Sequence, residues 1–187
     1  MPADEYTQKM EYIFNQMYPG LTMYVRDVNL PEGLAHKYTP GLVIRERAYV
    51  DASRRVMGMA TTHRYAILSN HMLDVTTLDL GEDNSKIKGW GLCMAKHDSH
   101  FKVLAVHEYE GKTLIILLHL PDDETWKLLV DVKVSIDDEF VSTTIERFEA
   151  KCNAHIIPEL ATEEWLLRCS FPLGINNKRE FHALEDE

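Results

Sequence analysis

Two apolar runs separated by one tight turn constrain this chain more than any other feature. Residues 101–109 and 113–120 are rich in leucine, β-branched and aromatic side chains, and Glu110-Gly111 between them suits a two-residue hairpin turn, because glycine accepts the positive φ such a turn demands. Both runs are apolar on alternate and intervening positions alike. A strand with two apolar faces has to lie centrally in its sheet, with other parts of the chain packed over each side.

The remainder of the sequence offers that cover. Residues 4–18 read as an amphipathic helix, with Tyr6, Met10, Ile13, Phe14 and Met17 at helical spacing and Pro19-Gly20 as the stop. Short extended runs are expected at 21–28, 42–50, 56–60, 64–69 and 87–95, with 81–85 as a loop. Beyond Pro121 the pattern returns to helices. One carries Trp126, Leu129 and Val130. A second carries Phe140, Val141, Thr144, Ile145, Phe148 and Cys152 along one stripe, and a third, capped by Thr162, carries Trp165, Leu166 and Cys169.

The expected class is α+β: a mostly antiparallel sheet, its last three runs forming a meander, with an N-terminal helix and two or three C-terminal helices packed on it. The 187 residues fit one domain spanning 1–187, and a loosely held tail is expected from about residue 170, where Pro172, Gly174, Asn176-Asn177 and an acidic ending follow one another.

Charge is distributed unevenly. The net charge is -10, of which residues 1–100 carry -1 and residues 101–187 carry -9. Such a balance argues against nucleic-acid or anionic-membrane binding, which needs cationic surface to displace counterions. No apolar run reaches the length of a membrane span, and Met1-Pro2-Ala3-Asp4-Glu5 is acidic where a secretion signal would be basic. Cys93, Cys152 and Cys169 are odd in number, widely spaced and form no zinc-ligand pattern, which fits free thiols in a reducing compartment. The chain reads as cytoplasmic, and no cofactor is expected apart from the zinc or similar ion considered next.

The phosphate-binding loop, the dinucleotide glycine fingerprint, the serine-hydrolase elbow, the HExxH zinc motif and the EF-hand loop are all absent from the sequence. Three constellations remain. The first is His97, His100 and His119. If Glu110-Gly111 forms the turn, facing residue numbers sum to 221, which sets His119 opposite Lys102 with His100 two residues away on the same face. Imidazoles so placed hold zinc or a similar ion, with Asp98 as ligand or orienting group; a register slip of one residue would separate them. The second is Glu108-x-Glu110, two carboxylates on one strand face. A Glu-x-Glu pair also occurs in some ADP-ribosylating toxins, and nothing else in the sequence carries that kinship. The third is an arginine face, Arg45 and Arg47 on one strand with Arg54, Arg55 and Arg64 on the next, whose planar forks would suit a phosphate or carboxylate. Thr61-Thr62-His63 and Ser69-Asn70-His71 add hydroxyl and imidazole groups nearby.

The first functional reading is a non-catalytic protein-binding module that uses the acidic helical half, with a basic protein surface as partner. The alternative is a small metal-assisted or acid–base enzyme, hydrolase-like, built around the meander histidines.

Overall fold

The computed structural model describes residues 3–132 and 135–186. Among these residues eight strands form one sheet: β1 (Thr22–Val28), β2 (Val43–Glu46), β3 (Val50–Ser53), β4 (His63–Ser69), β5 (Leu73–Asp74), β6 (Leu92–Ala95), β7 (Ser99–Tyr109) and β8 (Lys112–His119). Their spatial order is β2-β7-β8-β4-β1-β3-β6-β5. Among the described residues four α-helices accompany them, α1 (Ala3–Met17), α2 (Asn84–Trp90), α3 (Ser135–Lys151) and α4 (Glu163–Arg168).

The apolar hairpin is central. β8 lies between β7 and β4, and Leu114, Ile115, Ile116 and Leu117 are fully buried. Glu110 and Gly111 both take positive φ, 48° and 76°, the pair of values a two-residue hairpin turn of this hand requires. Alternate residues of β8 feed different cores. Leu114, Ile116 and Leu118 pack with Met10, Ile13 and Met17 of α1 and with Phe148 of α3. Ile115 and Leu117 pack with Tyr65, Ile67, Phe101 and Val103 on the opposite face.

Helices α1 and α3 therefore cover one face, and irregular chain closes the other. Leu34 and Tyr38 from the segment after β1, and Leu173 and Ile175 from the segment after α4, complete that second core. The expected loose tail is corrected here. The Tyr38 hydroxyl donates to the Leu173 carbonyl at 2.7 Å, the Leu173 N–H donates to the Tyr65 hydroxyl at 3.2 Å, and the Gly174 N–H donates to the buried Glu46 carboxylate at 2.7 Å. The tail is needed as a lid on apolar surface, and its polar backbone is satisfied from beneath.

Four further expectations change. The sheet is mixed, because β4 pairs parallel with β8 while the other neighbouring strands pair antiparallel. The meander reduces to the β7–β8 hairpin, since β6 pairs with β3 and β5 near the far edge. Ile87 and Trp90 belong to the short helix α2, ended by Gly91 at φ 59°, and they pack with Trp165 and Cys169 of the α4 region. Residues 56–60 are not a strand. Among the described residues no helix is long and apolar enough to cross a membrane.

Candidate functional site

The one parallel pair decides what meets at the end of the sheet. In register, Leu68 of β4 lies beside Leu118 of β8, so both strands run out at the same end. Ser69, Asn70 and His71 leave β4 there, next to His119, Leu120, Pro121 and Asp122 leaving β8. Adjacent parallel strands commonly present functional groups at their carboxyl ends, because the chain diverges there and leaves a crevice.

His119 is the buried centre of this cluster. Its ring stacks between His71, 3.9 Å between centroids, and Phe101, 4.8 Å. Its Nδ1 lies 2.9 Å from Ser69 Oγ. Its Nε2 has no hydrogen-bond partner, and Asp122 Oδ1 is 3.8 Å away. Leaving such an atom unpaired in a buried place costs about 1–3 kcal/mol. Burial holds the His119 pKa well below the ordinary histidine value, and the neighbouring His71, Lys96 and His100 lower it further, so the imidazole is neutral at pH 7.

His71 is anchored from the other side. The Asn70 amide nitrogen donates to the carbonyls of Gln16 and of Pro19, the latter at 3.1 Å, which leaves its oxygen as the acceptor facing His71 Nδ1 at 2.9 Å. An acceptor there fixes the proton on Nδ1. Burial lowers the His71 pKa as well, against opposing pulls from Asp122 and the Leu120 carbonyl, and with Lys96 lowering it further. Asp122 is also 3.5 Å from Lys96 Nζ. Above the cluster, α1 and the 121–125 segment border a cavity of about 200 Å³ lined by Tyr12, Gln16, Asn70, His71 and Asp122, among others.

The expected trio of His97, His100 and His119 does not assemble. The β7–β8 register follows the turn as far as Ala105, then slips by one between Val103 and Ala105, so His119 faces Phe101 instead of Lys102. A β-bulge of this kind carries every later side chain to the other face. His100 accordingly stacks on Trp126 at 3.9 Å, with its Nε2 2.8 Å from the Leu184 carbonyl, and His97 sits exposed with its Nδ1 2.8 Å from Asp98.

The arginines do not converge either. Arg64 forks onto Asp27 at 2.7 and 2.8 Å inside the protein, Arg54 meets Asp74 at 2.6 Å, and Arg55 meets the Gly89 carbonyl and Glu159. Arg45 and Arg47 share Asp186, and Arg45 also takes Asp98 at 2.6 Å. All five guanidiniums are already paired with carboxylates, so no anion pocket is built from them. Glu110 accepts from Asn153 at 2.5 Å at the opposite end of the sheet from His119.

No protein-family model and no curated protein matches the sequence. Solved structures do show a likeness. They include the type III effector XopAI from Xanthomonas axonopodis pv. citri, at 12% identity over 57% of this chain and 46% of that one, TM-score 0.43. The ADP-ribosyltransferase HopU1 of Pseudomonas syringae pv. Tomato DC3000 is 17% identical over 58% of this chain and 48% of that one, TM-score 0.44. Exoenzyme S from Pseudomonas aeruginosa, solved with human 14-3-3 protein beta and bound to carba-NAD, is 14% identical over 75% and 68%, TM-score 0.43. The chain spans about half the length of the first of these.

At such values the likeness says nothing of this chain's substrate. The first functional reading, the non-catalytic protein-binding module, is corrected here: it is at odds with these neighbours, of which HopU1 is an ADP-ribosyltransferase. The acidic residues also have local employment: Asp123 caps the turn at Thr125, Glu164 pairs with Lys86 at 2.9 Å, Glu149 lies 2.8 Å from His107, and Glu185 and Glu124 both pair with Lys127.

Proposed function

We propose that this chain is a hydrolytic enzyme whose water-activating centre lies among His71, His119 and Asp122. The observation that supports it is the buried, unpaired Nε2 of a neutral His119 beside a carboxylate, beneath a cavity large enough for part of a substrate. A water held there gives its proton to the imidazole as its oxygen bonds to a substrate carbonyl carbon. The bond to the leaving group then breaks, and the leaving group takes the proton back. His119 has the neutral state this requires, and Ser69 and the flanking rings hold its orientation. The test is hydrolysis of a panel of p-nitrophenyl esters and peptide amides. Asp122→Asn and His119→Gln should each reduce kcat about a hundredfold. A panel untouched by the wild-type protein, or equal rates in the variants, sinks the reading.

Transfer of ADP-ribose from NAD is a second reading, and one feature favours it. Glu108 faces Thr113, and Thr113 faces His63 on the next strand, so the Glu-x-Glu pair borders a row of polar groups across three strands. Release of nicotinamide from NAD, lost in Glu110→Gln, would support it; no release would end it.

A further inference from the structure

We propose that His71, His119 and Asp122 form a binding site for one zinc-class divalent transition-metal ion, with an open coordination position toward the cavity under α1. The inference rests on the hydrolytic reading of this cluster and changes its agent: with the His119 Nε2 lone pair given to an ion, the ion and not the imidazole would activate the water, and the two can fail separately.

Three observations carry it. The first is the donor set. One nitrogen from each of two imidazoles and one carboxylate oxygen all lie within 4.8 Å of one another. Two nitrogens and an oxygen of this kind suit zinc, iron, cobalt or nickel, and three protein ligands with a vacant fourth position is the arrangement of catalytic rather than structural zinc. Ligands of such an ion sit roughly 3.3 Å apart in a tetrahedron. His119 Nε2 and Asp122 Oδ1, at 3.8 Å, therefore have about half an ångström to close. His71 is exposed, and turning its ring about the Nδ1–Asn70 contact would bring Nε2 off the stack on His119.

The second observation is the state of the ligand atoms. His119 is 2% exposed, and its Nε2 has no hydrogen-bond partner and lies 3.8 Å from Asp122 Oδ1. A neutral imidazole that lends its lone pair to an ion solves that atom's problem.

The third is the pair of groups behind the ligands. A metal-binding histidine almost always donates its other ring N–H to an acceptor, which fixes the tautomer and the ring plane. Asn70 does this for His71: its amide nitrogen is committed to two carbonyls of the α1 end, so only its oxygen can face Nδ1. Ser69 stands in the same relation to His119, 2.9 Å from Nδ1. Asn70 thereby leaves His71 Nε2 as the lone-pair nitrogen, and Ser69 does the same for His119 in the tautomer that donates from Nδ1.

The site also contains its own rival. Lys96 Nζ lies 3.5 Å from Asp122 Oδ2, the position from which an ammonium compensates the carboxylate while no ion does. Lys96→Met should therefore tighten binding, by about tenfold, because a like charge near the ion is removed.

The experiment uses the full chain, stripped with chelator and titrated with zinc against a chromogenic chelator, and separately with cobalt for its visible absorption. One equivalent per chain is expected, with intense cobalt bands of a tetrahedral site. His71→Gln and Asp122→Asn should each weaken binding about a hundredfold or more, and Asn70→Ala and Ser69→Ala about tenfold to a hundredfold. His97→Ala should change nothing. His119→Ala is a poor single test, since its ring packs between two others; His71→Gln, at an exposed position, keeps the result readable if that variant fails to fold. Absence of stoichiometric binding, or binding indifferent to His71→Gln and Asp122→Asn, overturns the proposal. Tight binding without hydrolysis would remove the hydrolytic reading and leave the metal site standing. Hydrolysis that survives chelation would leave the hydrolytic reading with the imidazole as base and remove the ion as its agent.

Discussion

Arg64 and Asp27 show how much a single buried charge is worth in this molecule. The pair is bidentate, 2.7 and 2.8 Å, and Arg64 also donates to the Met57 carbonyl at 2.9 Å, with the guanidinium almost fully enclosed. Arg64→Ala leaves the Asp27 carboxylate buried without its partner, and a loss of about 3–5 kcal/mol is expected in urea unfolding. Exchanging both residues for apolar ones of similar volume should cost far less, because no charge then remains to be solvated. The cysteines behave differently. All three are free and buried, and burial pushes the Cys93 thiol up to about 11 and the Cys169 thiol up to about 12. Thiol titration should find three reactive groups after denaturation without reductant, and almost none in the native protein at pH 7.5. Two or more missing after denaturation would mean a disulfide. Odd, unpatterned spacing made this much legible in the sequence.

At the level of elements, legibility depended on whether the evidence was local. The stripe of α3 is a single-helix property, and Thr144, Phe148 and Cys152 are buried as its periodicity requires. The hairpin at Glu110-Gly111 is equally local. The bulge between Val103 and Ala105 is not: it depends on how β7 packs against β2 and β8 together, and it moved His119 away from His100. His71 and Asp122 lay in view in the sequence but not at any ligand spacing, because two separate strand ends deliver them. The tail was misread because proline, glycine and asparagine signal irregular chain, and irregular chain can still be buried. Gly174 illustrates its seating. It has φ 75°, and a Cβ there would lie 2.9 Å from Ile44 Cβ. Gly174→Ala combines backbone strain with overpacking, so a loss of about 1–3 kcal/mol is expected, read as a lower denaturant midpoint with an unchanged slope. An unchanged midpoint would mean that the tail lifts away without consequence.

For the whole molecule, four histidines contribute to the response to acid between pH 7 and their folded pKa values. His63, His71, His100 and His119 all have pKa values below the ordinary 6.5, each with burial as the largest cause. A histidine whose folded pKa is depressed binds its proton more readily when unfolded. Stability is therefore full above pH 6.5 and is lost as the pH falls through the folded values, by up to about 1.4 kcal/mol per pH unit for each group. Thermal melts with chelator present should show a plateau from pH 7 upward and a steep decline below 6.5; a melting temperature that rises on acidification would contradict this. The parallel contact between β4 and β8 has a different consequence, in time rather than energy. Some fifty residues, including β5, β6 and β7, must be laid down between Ser69 and His119 before those two can touch. The closure entropy of that loop falls due before any contact across it repays the cost. The crevice at the strand ends is thus among the last parts of the molecule to exist on refolding. No fragment of the chain that stops short of β8 can contain it, however well the earlier strands pair.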